Sequence, residues 1–177
     1  SDVCSSDLTF LEERWNNMIA WLRDEAKDLD IRYVVIPGDC VDGVGVFPDQ
    51  EEELVIEDII DQYRALAEHL KDIPDDIRIV MQPGNHDMVR PAEPQPALSE
   101  EVARLFDSNI LQIGNPAYLK IEGRTILSYH GKSFDDLVNG IKGLSYSQPL
   151  KAMEEMLKRR HLAPAYRSEE HTSELQS

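Results

Sequence analysis

Ile77-Arg78-Ile79-Val80-Met81 runs straight into Gln82-Pro83-Gly84-Asn85-His86-Asp87. The first five residues, apolar and β-branched apart from one arginine, predict a buried strand; Pro-Gly ends it, and Asn, His and Asp follow at its tip. Glycine permits a turn that other residues resist. Asparagine offers a carbonyl oxygen as ligand, histidine a proton or a lone pair, and aspartate a hold on that imidazole. The stretch therefore reads as a strand end that carries a site.

Upstream lies a second strand end of the same kind. Tyr33-Val34-Val35-Ile36 is an unbroken apolar run suited to a strand buried on both faces. It ends in Gly38-Asp39-Cys40-Val41-Asp42-Gly43-Val44-Gly45, either a solvated turn or a loop that brings carboxylates and backbone close to a cation. Between the two strands the acidic run from Asp49 opens a predicted helix reaching Lys71, with Leu54, Ile59, Ile60, Tyr63, Leu66, Ala67 and Leu70 facing inward. His69, near its C-terminal end, reads as structural or solvated. Strand, helix and strand make a βαβ unit with parallel strands and a right-handed crossover. Both polar loops then leave the same sheet edge, where sites form in open α/β sheets. Asp39 and Asn85 are thus expected to meet across 46 positions of sequence.

Working further out, Phe10, Leu11, Trp15, Met18, Ile19, Leu22 and Ala26 recur at helical spacing, with Thr9 as cap and both tryptophans expected to be core anchors. Downstream, Pro91, Pro94 and Pro96 make Met88 to Leu98 a stiff loop over the site, in which Arg90 meets either a phosphate or Glu93. Ser99 caps a short helix to Phe106, and a strand-rich section starts at Ile110. Tyr118 to Ile121 and Thr125 to Tyr129 flank Glu122-Gly123-Arg124 as a hairpin. The second hairpin strand delivers His130-Gly131, a third strand end with a polar tip, so His130 is read as a ligand rather than a packed imidazole. Helices are predicted from Phe134 and over Pro149 to Arg160.

Both termini look foreign to the rest. Residues 1–8 and 167–177 read as translated sequencing adapter, one back-translating as the reverse complement of the other, which leaves 9–166 as a partial domain incomplete at both ends. The excluded ends hold five acidic side chains against one arginine, so the remainder keeps −12 of the formal −16. A surface so acidic repels phosphate backbones, and any DNA substrate needs metal ions or a partner. The excess fits a salt-adapted source or a basic partner equally. With Cys4 set aside only Cys40 remains, which excludes a disulfide framework or thiolate metal cage and suits a cytoplasmic protein. No apolar run approaches the ~18 residues of a membrane span.

Asp39, Asn85, His86 and His130 supply oxygen and imidazole donors without thiolate, a set for Mn, Mg, Fe or Zn. Two such ions suit phosphodiester chemistry, with a carboxylate such as Asp39 bridging them and a histidine donating a proton or stabilising charge. Gly38-Asp39, Gly84-Asn85-His86-Asp87 and His130 resemble the middle motifs of calcineurin-like metallophosphoesterases, which implies an α/β sandwich of mixed sheets flanked by helices. More narrowly, Gly38 to Gly43, Ala92-Glu93-Pro94-Gln95-Pro96-Ala97-Leu98, Tyr129 to Ser133 and Arg160-His161-Leu162-Ala163-Pro164 resemble the small subunit of archaeal family-D DNA polymerases. That resemblance implies a 3′-5′ proofreading exonuclease, manganese-dependent, acting on a DNA 3′ end and partnered by a large catalytic subunit. It makes Asp39 the bridge between two metals, Asn85 and His130 ligands of one, His86 the group beside the scissile phosphate, and Asp87 the residue that orients His86. The family's first motif, Asp-x-His, and its last, Gly-His-x-His, are expected outside residues 9–166, so the chain as it stands is expected to be inactive. The alternatives are a phosphoesterase acting on small phosphoesters or nucleotides, and a noncatalytic scaffold like the eukaryotic polymerase B-subunits.

Overall fold

The computed structural model describes residues 10–160, so Thr9 and the stretch from His161 onward lie outside the described residues. Helix α1 (Glu12–Glu25) leads into strand β1 (Tyr33–Pro37), and helix α2 (Ile59–Leu70) crosses back to strand β2 (Arg78–Gln82). After the short helix α3 (Glu100–Ala103) comes strand β3 (Ile110–Gln112), then the hairpin β4 (Ala117–Ile121) and β5 (Arg124–Ser128), and helices α4 (Phe134–Gly140) and α5 (Pro149–Arg159). Strands β1, β2 and β3 form a parallel sheet in that order, and β4–β5 a separate antiparallel pair. The predicted βαβ unit and the mixed α/β architecture are present. Among the described residues no helix is long and apolar enough to cross a membrane.

The period-2 alternation of strands explains the core. Val34, Ile36, Ile79, Met81 and Ile110 project to one face and pack under α1 and α2 with Ile19, Leu22, Tyr63 and Leu70. Each fully buried aliphatic there contributes about 1.5–3 kcal/mol. The row Val35, Val80, Leu111 projects the other way in register. In that row Val80 is buried, but Val35 and Leu111 are exposed. The expectation that β1 is buried on both faces is therefore corrected: Val35 leaves one face of β1 open, β1 lies at the edge of the sheet among the described residues, and the doubly buried strand is central β2.

Three further readings change. The helix expected from Asp49 to Lys71 is two elements, a 3-10 turn over Gln50–Glu52 and α2 itself. Asp49 sits at φ 63° and cannot start a regular helix, whereas the Asp58 carboxylate accepts the Ile60 and Asp61 amides at 2.8 and 3.0 Å and is the true cap. Trp15 packs against the core, but Trp21 is 46% exposed, because it lies on the outer side of the α1 stripe that buries Ile19 and Leu22. His69 is structural, its ring stacked on Phe10 at 4.2 Å and edge-on to Trp15.

Candidate metal and phosphoester site

Parallel strands β1 and β2 end side by side, Pro37 opposite Gln82, so the loops that follow start as neighbours. Two glycines allow their approach. Gly38 (φ 117°) turns the chain off β1 where a side chain would strike the His130 imidazole, and a Cβ on Gly84 would run into the Asp39 carboxylate and amide. Asp39 itself adopts φ 50°, a left-handed conformation that aspartate tolerates better than most residues. The sequence thus brings the β1 and β2 loops together at backbone level, and the β5 loop closes over them with His130.

Three of the expected donors meet. His130 Nε2 lies 3.1 Å from Asn85 Oδ1 and 3.3 Å from Asp39 Oδ1, and the His86 amide donates to Asp39 Oδ1 at 3.0 Å. His130 Nδ1 is 3.2 Å from the Pro37 carbonyl. A carbonyl only accepts, so Nδ1 carries the proton and the neutral ring turns its Nε2 lone pair toward two oxygens. Three lone-pair atoms facing one another repel unless a positive charge sits among them. A proton on Nε2 is one answer, and the Asp39 hydrogen bond accordingly raises the His130 pKa against the pull of burial. At Asp39, burial pulls the carboxyl up, but the His130 hydrogen bond, the His86 amide and the two imidazoles carry it below the ordinary carboxylate range. A divalent cation is the other answer, and a carboxylate, an amide oxygen and an imidazole fit one chemically. Among the described residues, no group of three His, Cys, Asp or Glu side chains forms a metal site by itself. The set depends on the Asn85 carboxamide.

His86 is held differently from expectation. Its Nδ1 is 2.9 Å from the Asp42 backbone carbonyl, which leaves Nε2 pointing toward the donor set, 3.9 Å from Asp39 Oδ2. The Asp42 carbonyl also receives Gln50 Nε2 at 2.9 Å. Asp87 does not orient His86. Its Oδ2 accepts from the amides of Gly84 and Cys40 at 2.7 and 3.1 Å, and its Oδ1 from the Tyr63 hydroxyl at 2.8 Å. It ties the β1 loop, the β2 loop and α2 together, because a buried carboxylate with two oxygens satisfies three donors at once. Burial raises its pKa although all three hydrogen bonds lower it. Burial, with Asp87 and Asp39 adding their charge, pushes the Cys40 thiol up, and its Sγ donates to the Gln82 carbonyl at 3.2 Å. The Arg90 guanidinium donates to the Pro94 carbonyl rather than pairing with Glu93, closing the proline loop on itself.

Sequence reading missed the amides that brace these loops. Gln50, Gln62, Gln82, Gln95 and Asn115 are all buried. Gln62 alone accepts the Gly43 amide at 2.9 Å and donates to the Gly43 and Ile56 carbonyls. The one signal available was an uncharged amide in an odd place, such as Gln95 between two prolines.

A model of the calcineurin-like phosphoesterase family matches residues 1–175. Among curated proteins, the DNA polymerase II small subunit of Archaeoglobus fulgidus is 49% identical over 173 residues, covering 94% of this chain and 36% of that protein. The protein of the same name from Methanocaldococcus jannaschii is 47% identical over 174 residues, 94% of this chain and 29% of its own length. That of Halobacterium salinarum is 45% identical over 169 residues, 94% and 33%. The chain thus spans about a third of the length of these relatives.

Proposed function

The chain belongs to the calcineurin-like phosphoesterase family, and from that premise we propose that it is part of the small subunit of a replicative DNA polymerase, a metal-dependent 3′-5′ proofreading exonuclease. Its partners on this reading are a large catalytic subunit and the 3′ end of DNA. The observation that carries the reading is the meeting of Asp39, Asn85 and His130 on one strand-end edge, with His86 Nε2 turned toward them. Likeness to polymerase small subunits along nearly the whole chain supports the choice of a polymeric over a small phosphoester.

Two divalent ions, manganese by preference, supply Lewis acidity at the phosphoryl oxygens and acidify the attacking water when bound. Asp39, Asn85 and His130 are the residues here that would hold one of them. The Pro37 carbonyl keeps His130 in the tautomer whose Nε2 can ligate. The Asp42 carbonyl likewise holds Nδ1–H of His86, and in the imidazolium form its Nε2–H would hand a proton to the departing 3′ oxygen or stabilise charge on the phosphate.

The test uses the intact small subunit assembled with its large partner. Hydrolysis of a 3′-mismatched primer is expected with manganese, and Asp39→Asn or His86→Ala is expected to slow it by about 100-fold or more. Variants as fast as the parent would remove these residues from the site. Turnover of a simple phosphomonoester without primer hydrolysis would favour the small-phosphoester reading, and no turnover of either the scaffold.

A further inference from the structure

The proline-rich stretch around Gln95 contributes no donor to the site, yet Gln95 is 4% exposed and its partner Asn115 is fully buried. Gln95 Nε2 donates to the carbonyls of Gly84 and Arg90, both at 3.1 Å. Carbonyls only accept, so the Gln95 amide has one orientation, and its Oε1 must face Asn115 Nδ2, 2.7 Å away. The Asn115 carboxamide is fixed in turn: its Oδ1 accepts the His130 backbone amide at 2.9 Å and Gln82 Nε2 at 2.8 Å. Two backbone hydrogen bonds, at 2.7 and 2.9 Å, lock the same two residues as an isolated bridge. Gly114 lets them approach, since a Cβ there would lie 2.7 Å from the Gln95 carbonyl oxygen.

One relay of determined orientation therefore runs from the Gly84 carbonyl, through Gln95 and Asn115, to the backbone of His130. Its two ends are the loop that carries Asn85 and His86 and the residue whose Nε2 faces Asn85 and Asp39. The relay also forces Gln82 to present its amino group, which leaves Gln82 Oε1 buried without a partner among the described residues. An apolar residue at 82 would avoid that unpaired oxygen, so the network's product is position rather than stability.

We infer that Gln95 and Asn115 are positioning residues that set the separation of the Asn85 and His130 donors and thereby the metal affinity of the site. The inference rests on the proposed metal-dependent phosphodiester chemistry and deepens it. Neither residue touches substrate or metal; each acts through a backbone group of a loop that does.

The experiment measures manganese affinity by isothermal titration, kcat and KM for the mismatched primer, and Tm, on the intact small subunit with its large partner. Gln95→Met, an unbranched apolar replacement of similar length, and Asn115→Asp, which sets carboxylate against the Gln95 oxygen, are expected to weaken manganese binding about 10- to 100-fold and to lower kcat with KM for DNA little changed. Asn115→Gln, which keeps the carboxamide, is expected to recover part of the affinity. Should Gln95→Met fail to fold, Gln95→Glu keeps the Asn115 contact, sets an acceptor oxygen against the Gly84 and Arg90 carbonyls in place of the two donors, and reads the same loss. Unchanged manganese affinity in the folded variants overturns the inference, and so does misfolding of all of them, which would assign the pair to folding alone. A parent that binds manganese but leaves DNA intact would refute the nuclease reading, and the affinity ratio of variant to parent would still decide the role of Gln95 and Asn115.

Discussion

At the scale of single residues, the site is held by groups chosen for the number of hydrogen bonds they can accept. Asp87 takes three, and Tyr63 links it to the next turn by donating to Asp87 Oδ1 and accepting the Met88 amide at 2.9 Å. Burial and the Asp87 carboxylate push the Tyr63 hydroxyl pKa upward, so it stays protonated and keeps donating. Tyr63→Phe would preserve the ring packing against Phe106 and leave a buried carboxylate oxygen and the part-buried Met88 amide without this partner. We expect a loss of about 1–3 kcal/mol in urea unfolding of the chain. A change near zero would mean that water replaces the hydroxyl and that Asp87 is not the tie described above. The residue types of the site were legible in the sequence, since Asn, His and Asp after Pro-Gly have few other reasons to stand together. Their partners were not, since Asp87 bonds Cys40 across 47 positions and His86 the Asp42 carbonyl across 44.

Secondary elements show where local signals compete. The acidic run Glu51-Glu52-Glu53 has the composition of a helix start, but the left-handed Asp49 and the buried Gln50 side chain, which accepts the Val46 amide at 2.8 Å, commit it to a turn. The helix waits for Asp58. Asp58→Ala is therefore expected to cost about 1 kcal/mol in chemical denaturation, while Asp49→Gly stays within about 0.5 kcal/mol of the parent, relief of the positive φ offsetting the extra freedom of the unfolded chain. The reverse order of sensitivity would return the helix start to Asp49. The hairpin was more legible: Glu122 and Gly123 adopt φ of 48° and 77°, as a two-residue turn between twisted strands requires. Glu122 stays at that unusual conformation with its carboxylate 3.1 Å from Arg32, beside the start of β1.

For the whole molecule, the formal charge of −16 and a site of three converging donors set what the chain can do unaided. Three donors serve one ion at most, and Asp39 already has the His86 amide on the oxygen it turns to His130. Isothermal titration of the 177-residue chain with manganese is expected to show no more than one weak equivalent; two tight equivalents would show donors beyond Asp39, Asn85 and His130. What the sequence alone determined was the βαβ unit, the three strand ends and the chemical character of the residues on their tips. Strand periodicity, glycine punctuation and crossover handedness are local or general rules that operate without knowledge of the remote chain. Only the tertiary structure decided that β1 leaves Val35 exposed on one face, that Asp87 braces loops instead of the imidazole, and that buried amides from Gln50 to Asn115 brace the loops of the site. The physical reason is that most of these contacts end on backbone amides and carbonyls. Those groups are nearly the same at every position, so the fold alone selects which of them a side chain meets.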